Sequence, residues 1–405
     1  MSESLGPPLN GLKVLELGHI VAGPTAGQIL ADMGAQVTKI ESVDGGDQAR
    51  NMPGVMAAMF HFLNRNKHSV ALDLKGEGRN IFLEMARDAD VIIDNFAYGA
   101  VARLGVGYEV VSETNPGLIW LSIKGFLPGP AEAQPMLDEL AQMAGGLAFM
   151  TGTPDKPVRA GASLIDIGAA TYGIIAVLAA LRQRDAGNGK GRGQLITAGL
   201  FETCVYNVAQ WMATAQCSGE PSIPMSSIRQ GTRMGFGVYR LFDTADAGQV
   251  FVGIISNAHW ARFCAAFDLP ALHADSRFKE GTDRTTNRPV LNEAVAEVML
   301  RYSKQEAIAK LQAANVPFAP MRRPDELADE AHLVGSDQLV DLPLPNGKVG
   351  HLPKLPFRAQ GFDMPLRRAA PALGADTRTV LSDLGYSAAQ IDDLQSRGAI
   401  KLGET

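Results

Sequence analysis

Short apolar runs alternate with amphipathic segments along the first half of the chain. Residues 14–17 and 36–41 predict buried strands, and the segment between them predicts a helix, with Pro24 in its first turn and Gly34 just past its end. Further strands are predicted at residues 69–74, 90–94 and 117–123, with helical segments between them. Strands that alternate with helices favour a mostly parallel sheet covered by helices.

The pattern changes at about residue 221, where Pro, Ser and Gly cluster. Before it, residues 164–184 predict a long apolar helix, residues 194–198 a strand and the residues from 201 onward another helix. After it, short strands are predicted at residues 238–242 and 250–255, and helices near residues 258–267, 292–302 and 304–315. We expect an α/β chain with a large Rossmann-like parallel-sheet domain in residues 1–220, a smaller α+β domain in residues 221–325, and a C-terminal segment, residues 326–405, that returns to the large domain and has few regular elements before residues 376–384.

Length and charge restrict the classes of protein that fit this pattern. A chain of 405 residues is too long for one ordinary core, and its net charge of −6 argues against a general nucleic-acid or anionic-membrane surface. The most apolar run, residues 174–181, is far shorter than the roughly 20 residues that span a bilayer. The first residues lack the features of a secretory leader, and the three cysteines have no metal-ligand spacing, so we expect a cytoplasmic protein with reduced thiols.

The turn after the first strand is a candidate ligand site. Gly18, Gly23 and Gly27 do not form the G-x-G-x-x-G fingerprint of nicotinamide enzymes, so the turn is either an anion site at a helix start or a tight turn that permits close packing. His19 is either an acid–base group or a residue that satisfies backbone polar groups. Lys67, Lys75 and Arg103 are candidates for phosphate contacts, although solvated positions explain them equally well.

Asp166 is an acid in an otherwise apolar segment at the predicted start of the long helix. It is either a simple helix-start acid, stabilised by the macrodipole, or a partly desolvated carboxylate nucleophile. Asp138, with its neighbour Glu139, is a second acidic position ahead of a predicted helical segment, and a solvated helix face accounts for it equally well.

Several segments together resemble the class III (CaiB/BaiF-like) CoA-transferases, the family of formyl-CoA transferase and carnitine CoA-transferase, which also contains α-methylacyl-CoA racemase. The similar segments, in order, are LNGLKVLEL (9–17), LADMGAQVTKIE (30–41), NRNKHSVALDLK (64–75), DNFAYGAVARLG (94–105), AGASLID (160–166), GKGRGQ (189–194) and LGADT (373–377). The number and order of these segments carry the resemblance, which runs from residue 9 to about residue 384.

The resemblance implies roles for particular residues. It makes Asp166 the covalent nucleophile and Asp138 an active-site acid. It places contacts to coenzyme A, as substrate rather than permanent cofactor, at Ile20, Ala22, Leu72, Asn95, Phe96, Ala100 and Arg103. It also implies two chains threaded through each other as an interlocked homodimer, with no nucleic-acid or membrane partner.

Three departures from the family pattern refine the expectation. Val21 stands where formyl-CoA transferases carry glutamine, which disfavours oxalate as acceptor, and Ser42 stands where an arginine is common, so another cation must hold the nucleotide phosphate. Leu137 stands where racemases carry the histidine needed for two-base proton exchange, which argues against racemisation.

The sequence therefore predicts transfer of CoA from an acyl-CoA, with succinyl-CoA preferred, to a free carboxylic acid through aspartyl anhydride and aspartyl-CoA intermediates. Arg229 and Arg233 are candidate contacts for the acceptor, and backbone amides near Gly145 or in residues 231–237 are candidates for oxyanion stabilisation. Two alternatives stay open: an intramolecular CoA-transferase or acyl-CoA isomerase of the same superfamily, and a non-catalytic CoA-binding subunit.

Overall fold

The structure is a computed structural model that describes residues 6–53, 57–187, 191–231 and 235–403. The chain divides into two compact units, of which the first comprises Met1–Gly146, Ala160–Ala209 and Ala328–Thr405 and the second Leu147–Arg159 and Gln210–Leu327. The second unit thus takes up the short segment before residue 160, which contains no marked change of composition. The extents and roles of the domains expected from sequence stay a prediction.

A seven-stranded sheet forms the centre of the first unit. Its strands are β1 (Lys13–Leu17), β2 (Gln36–Glu41), β3 (Lys67–Leu72), β4 (Val91–Asp94), β5 (Ile119–Lys124), β6 (Gln194–Gly199) and β12 (Ile400–Lys401). Their order is β12-β3-β2-β1-β4-β5-β6, and every pair is parallel except β12 with β3. The predicted large parallel-sheet α/β core is confirmed, and its order from β3 to β6 is that of a Rossmann sheet.

Helices cover this sheet because its strands are apolar on both faces. All four residues of β4 are buried, as expected of a parallel strand packed on two sides. The helices of the first unit are α1 (Ala22–Asp32), α2 (Ala58–Leu63), α3 (Gly78–Ala86), α4 (Ala100–Arg103), α5 (Tyr108–Thr114), α6 (Asp138–Ala144), α8 (Leu164–Asp185), the first half of α9 (Leu200–Ser218), α16 (Ala331–Gly335), α17 (Thr377–Asp383) and α18 (Ala388–Ser396).

Helix α8 packs against α1, β5 and β6. Gly173 permits the contact with the sheet, because a Cβ there would lie 2.8 Å from a methyl carbon of Leu121. Among the residues that the structure describes, α8 alone is long and apolar enough to cross a membrane, with 22 residues and a mean hydropathy of 2.0. Long apolar helices also occur in the cores of soluble proteins, and α8 packs against the sheet as such a core helix does.

The second unit is a smaller α+β structure around a three-stranded antiparallel sheet. The strands are β7 (Val238–Asp243), β8 (Gln249–Ile254) and β9 (Phe318–Pro320), in that order. Its helices are α7 (Leu147–Thr151), the end of α9, α10 (Met225–Gln230), α11 (Asn257–Ala266), α12 (Pro270–Ala274), α13 (Gly281–Thr286), α14 (Arg288–Met299) and α15 (Lys304–Ala313). Trp260, Phe263 and Leu291 belong to its core.

The C-terminal part has more regular structure than the sequence predicted. An antiparallel hairpin, β10 (Leu339–Pro343) with β11 (Val349–Pro353), lies where few elements were expected. Helix α18 and strand β12 close the chain, and β12 pairs with Leu72 and Ala71 of β3. These three late strands are short, and their partners decide their formation more than their own composition.

Candidate active site

The loops after β1 and β4 meet at the carboxyl edge of the sheet. These two strands are neighbours, and the strand order reverses between them, which is where open α/β sheets bind ligands. Of the seven residues expected to contact coenzyme A, six lie in or next to these loops: Ile20, Ala22, Asn95, Phe96, Ala100 and Arg103. The fold therefore brings together residues that are up to 83 positions apart in sequence.

Two glycines make the first turn tight. A Cβ on Gly23 would lie 2.6 Å from the Gly18 Cα and 2.9 Å from the Asn95 Oδ1, and a Cβ on Gly18 would meet the Gly23 backbone at 2.9 Å. The explanation of these glycines by close packing is thus confirmed. A ligand-binding role for the same turn is compatible with it, because close packing leaves the turn backbone at the strand ends.

Asn95 joins the turn to the loop after β4. Its Oδ1 accepts a hydrogen bond from the His19 N–H at 2.8 Å, and its Nδ2 donates to the His19 carbonyl at 3.0 Å. The imidazole of His19 stacks on the ring of Phe96, with centroids 4.8 Å apart and planes at 14°. Two hydrogen bonds and one ring stack thus join the two loops.

The chemistry of His19 is that of a neutral ring. Burial, and next to it the positive charge of Lys39, lower the pKa of His19. Its Nδ1 is buried and has no hydrogen-bond partner among the described residues. The expectation that this side chain satisfies backbone polar groups is therefore wrong, since Asn95 does so instead.

The loop after β4 is fixed from below by Asp94, the last residue of that strand. Its carboxylate accepts from the Trp120 Nε1 at 2.7 Å and from the Ser122 Oγ at 2.8 Å, and it pairs with Lys124. The Lys124 ammonium also donates to the Phe96 carbonyl at 2.7 Å. The buried carboxylate of Asp94 therefore holds the backbone of Phe96 in place through Lys124.

The remaining expected contacts differ in how open they are. Arg103, at the end of α4, is exposed, and its Nη1 donates to the Tyr98 carbonyl at 3.3 Å. Ala22 is buried in the first turn of α1. Leu72 ends β3, two strands away from β1; it is 1 % exposed in the apolar core and pairs with Ile400 of β12.

Lys67 is not a phosphate ligand, contrary to one of the two readings of the sequence. Its ammonium lies 2.6 Å from the Glu16 Oε2 and is fully buried. Burial lowers its pKa to about 8, against the attraction of Glu16. Lys75, just beyond β3, is exposed and stays a candidate.

Ser42, at the position where an arginine is common in the family, is exposed, and the nearby cation Arg50 pairs with Glu41. Arg50 donates to both carboxylate oxygens of Glu41, each at 2.7 Å, and to the Pro371 carbonyl at 3.0 Å. Two exposed cations near the carboxyl edge, Lys75 and Arg103, are left as candidates for the nucleotide phosphate.

Asp166 lies in the first turn of α8, as the sequence predicted, and it is partly buried. Because α8 connects β5 to β6, its first turn lies at the carboxyl edge of the sheet. Helix α1, which packs against α8, begins at the same edge.

Asp138 caps the helix that carries Asp166. Its Oδ2 accepts from the backbone N–H groups of Ile165 at 2.8 Å and Asp166 at 3.2 Å, and its Oδ1 accepts from the Gln142 Nε2 at 2.7 Å. Ser163, the residue before α8, supplies no side-chain cap. Asp138 is 8 % exposed, so a solvated helix face is excluded as the reason for this acid.

Gln142 fixes the segment that leads to Asp166. Its Oε1 accepts from the Ala160 N–H at 2.8 Å and its Nε2 donates to the Ala162 carbonyl at 3.4 Å. A neighbouring glycine, Gly145, packs on Cys204, and a Cβ there would lie 2.6 Å from that side chain. Gln142 of α6 therefore fixes the backbone of the segment that leads into α8 and to Asp166.

The acceptor candidates from the sequence belong to the second unit. Arg229 lies in α10, with its guanidinium carbon 6.0 Å from the centre of the Phe251 ring. Arg233, part of residues 231–237 and the start of the GKGRGQ segment lie outside the described residues.

Sequence reasoning missed the part that Glu16 and Asp47 play. Glu16, Lys39, Asp47 and Lys67 form a fully buried group of two acids and two lysines beneath the first turn. The signal for it was the presence of Glu16, Lys39 and Lys67 inside strands that are otherwise apolar, since such charges need partners when buried; Asp47 lies in a loop and gave no such signal.

Comparison with known proteins agrees with this geometry. The profile of the family described as CoA-transferase family III matches residues 9–377. A succinate–glutarate CoA-transferase of Agrobacterium fabrum is 30% identical over 391 residues, which cover 93% of this chain and 96% of that protein. A succinyl-CoA:mesaconate CoA-transferase of Haloarcula hispanica is 32% identical over 353 residues, covering 83% and 86%.

A solved structure shares the fold as well. The crystal structure of a CAIB/BAIF family protein from Brucella suis has a TM-score of 0.83 and 29% identity, covering 93% of this chain and 99% of that one. The family profile and the named relatives define a class III acyl-CoA:carboxylate CoA-transferase, an enzyme that acts on CoA thioesters. The chain belongs to CoA-transferase family III.

Proposed function

We propose that this enzyme moves CoA from succinyl-CoA to a small dicarboxylic acid, with Asp166 as the covalent nucleophile. The observation that carries the proposal is the position of Asp166 in the first turn of α8, with its backbone N–H bound by the buried Asp138. The names of the two relatives, which combine succinate or succinyl-CoA with glutarate or mesaconate, support the choice of substrates.

The reaction needs only carboxylates and the thioester. An oxygen of Asp166 attacks the thioester carbonyl carbon, the C–S bond breaks, and CoA thiolate leaves a mixed anhydride behind. The thiolate then attacks the aspartyl carbonyl carbon and releases succinate. The acceptor carboxylate attacks this aspartyl-CoA thioester, the thiolate leaves, and its attack on the new acyl carbonyl gives the product thioester and frees Asp166. No net proton is consumed.

The residues at the carboxyl edge have separate tasks in this proposal. Ile20, Ala22, Asn95, Phe96, Ala100 and Arg103 bind coenzyme A, whereas Leu72, which is 1 % exposed, packs in the apolar core beside them. Asp138 is a positioning residue, because its carboxylate oxygens accept hydrogen bonds from the helix that carries the nucleophile and from Gln142.

We also propose that the enzyme is an interlocked homodimer. Apolar side chains on α8 and α9 and just before α6 in the first unit are exposed, including Leu137 at 67%, Ile175 at 57% and Tyr206 at 68%. Such surfaces are characteristic of association sites. The dimer mass should persist at nanomolar concentration, and a reversible monomer–dimer equilibrium under native conditions would contradict it.

The nucleophile is tested by trapping. With succinyl-CoA and hydroxylamine, the wild-type enzyme should lose activity and gain a hydroxamate on the peptide spanning residues 160–182. Asp166→Asn should stay folded, show no label and transfer no CoA, since an amide lacks the nucleophilic oxygen.

Glu109→Gln provides the control, because Glu109 is an exposed acid in the first turn of α5. This variant should be labelled and active like the wild type. Normal turnover of Asp166→Asn, or a label that appears elsewhere, would show that Asp166 only stabilises a helix start, a role worth about 1 kcal/mol.

A further inference from the structure

The buried charges beneath the first turn contact the backbone of that turn directly. The Lys39 ammonium lies 2.7 Å from the Glu16 Oε1, 2.8 Å from the Asp47 Oδ2 and 2.7 Å from the Gly18 carbonyl, to which it donates. The other oxygen of Asp47, Oδ1, accepts from the Ile20 N–H at 3.0 Å. Two side chains outside the turn thus fix the carbonyl of Gly18 and the N–H of Ile20.

Ile20 adopts a conformation that its side chain disfavours. Its φ is +64°, in the left-handed region, where a β-branched residue is an outlier. Such conformations persist only where surrounding contacts impose them. The contacts at this position are those of Asp47 to Ile20 itself, and those of Lys39 and Asn95 to the two preceding residues.

The four charges of this group are balanced and have no access to solvent. Glu16, Lys39, Asp47 and Lys67 are each 0 % exposed, and a Cβ on Gly27 of α1 would lie 1.9 Å from the Glu16 Oε2. Burial works to lower the pKa of Lys39, but Glu16 and Asp47 outweigh it and hold that pKa above its usual value. Lys39 is therefore a permanent cation, and Asp47 its fixed partner.

A purely stabilising role does not account for this arrangement. A buried ion pair contributes little to stability compared with apolar side chains of the same size. This one lies under a strained turn that holds two of the residues proposed to bind coenzyme A, Ile20 and Ala22. Backbone strain of this kind is concentrated at ligand sites.

We infer that Asp47 and Lys39 are positioning residues for coenzyme A, which hold the backbone of Gly18–Ile20 in its ligand-binding form. The inference rests on the proposed binding of coenzyme A at this turn. These two side chains raise the affinity for the CoA part of the donor, and they take no part in the bond-making steps at Asp166.

The test measures binding of coenzyme A itself by calorimetry, together with steady-state kinetics. Asp47→Asn keeps the size of the side chain but removes the charge that pairs with Lys39. We expect the Kd for coenzyme A and the KM for the donor to rise at least about tenfold, because the Lys39 ammonium, which donates to the Gly18 carbonyl, loses one of its two charged partners. The kcat and the KM for the acceptor acid should stay within about twofold, because Asp166 is not displaced.

A second variant covers the case in which Asp47→Asn does not fold. Ile20→Pro leaves every buried charge in place, but proline has no N–H to donate to Asp47, fixes φ near −65° and cannot adopt the left-handed conformation. It should fold, because Ile20 is only partly buried, and it should weaken coenzyme A binding by a similar factor. Wild-type affinity in Ile20→Pro would overturn the inference.

The control is Asp32→Asn, which breaks another buried ion pair of the same unit. The Asp32 Oδ2 lies 2.6 Å from the Arg65 Nη2, at the far end of α1 from the turn. This variant should lose stability and keep the affinity for coenzyme A. If Asp32→Asn weakens binding as much as Asp47→Asn does, or if Asp47→Asn binds like the wild type, the inference is wrong.

Failure of the proposed function gives a different result. If the hydroxamate never appears on Asp166 while the wild type binds coenzyme A and Asp47→Asn does not, the mechanism fails and the positioning role stands. If the wild type does not bind coenzyme A, both fail.

Discussion

Asp138 offers a sharp test of how Asp166, the proposed nucleophile, is held. In Asp138→Ala, the N–H groups of Ile165 and Asp166 lose their acceptor, and the Gln142 amide loses its partner. Loss of a cap costs about 1 kcal/mol, loss of a negative charge at a helix start up to about 1, and loss of one more buried hydrogen bond about 1. The free energy of unfolding should therefore fall by about 3 kcal/mol.

The effect on the rate should follow the position of Asp166. Without its cap the first turn of α8 frays, and a displacement of about 1 Å in a reacting group costs roughly a hundredfold in rate. In Asp138→Asn, the amide oxygen still accepts from the helix N–H groups. This variant should lose only about 1 kcal/mol of stability and keep more than about a tenth of kcat.

Urea unfolding and single-turnover kinetics on both variants decide between positioning and acid–base chemistry. The control is Asp90→Asn at the opposite edge of the sheet, where the carboxylate accepts from the Lys13 N–H at 2.9 Å and pairs with Arg184 of α8 at 3.0 Å. It should cost stability without changing kcat. An inactive Asp138→Asn with wild-type stability would refute the positioning role and make Asp138 an acid–base group.

Two more predictions concern charged residues of the first unit. Arg103→Ala should raise the donor KM about tenfold or more and leave the acceptor KM unchanged, because an arginine–phosphate contact is charge-assisted. The control is Arg87→Ala, at the exposed end of α3. If the two variants have equal donor KM values, Arg103 does not contact the phosphate. Asp376 accepts from the Ser69 N–H and pairs with His68 and Arg368, and although burial alone would raise its pKa, these contacts lower it from 3.8 to about 2. The ionised Asp376 contributes about 2 kcal/mol to the free energy of unfolding above pH 3.8, and this contribution is lost as pH falls from 3.8 to about 2. In urea unfolding, Asp376→Asn should therefore be less stable than the wild type at pH 7 and equally stable below pH 2.

The sheet and its main helices were predictable because their signals are local. The strand predicted at residues 36–41 has the observed bounds of β2, and the helix predicted from residue 164 begins where α8 begins. Apolar runs of strand length and the proline–glycine asymmetry of α1 lie within single elements. The hairpin of β10 and β11, and strand β12, were missed since each is short and depends on pairing for its stability.

The candidate site was predictable only as a set of strand ends and one helix start. Asp166 at the start of α8 was visible in the sequence, but its cap lies 28 positions earlier, and no local spacing joins the two. In the same way, Glu16 and Lys67 are 51 positions apart, and the sequence left Lys67 as a possible phosphate ligand. Contacts of this kind follow from the packing of the sheet against α1, which a single sequence does not specify.

The contacts that hold the two functional segments are separate, and this separation bears on mechanism. The first turn is fixed by Lys39, Asp47 and Asn95 through its backbone, whereas the start of α8 is fixed by Asp138. Helices α1 and α8 begin at the same edge and pack together, so both segments rest on the same rigid layer. In the proposed mechanism the CoA thiolate must stay bound while three different acyl partners occupy its sulfur in turn. Lys39 and Asp47 are buried, so no acyl group contacts them. If they hold the turn that binds CoA, the thiolate would keep its position through each of those exchanges.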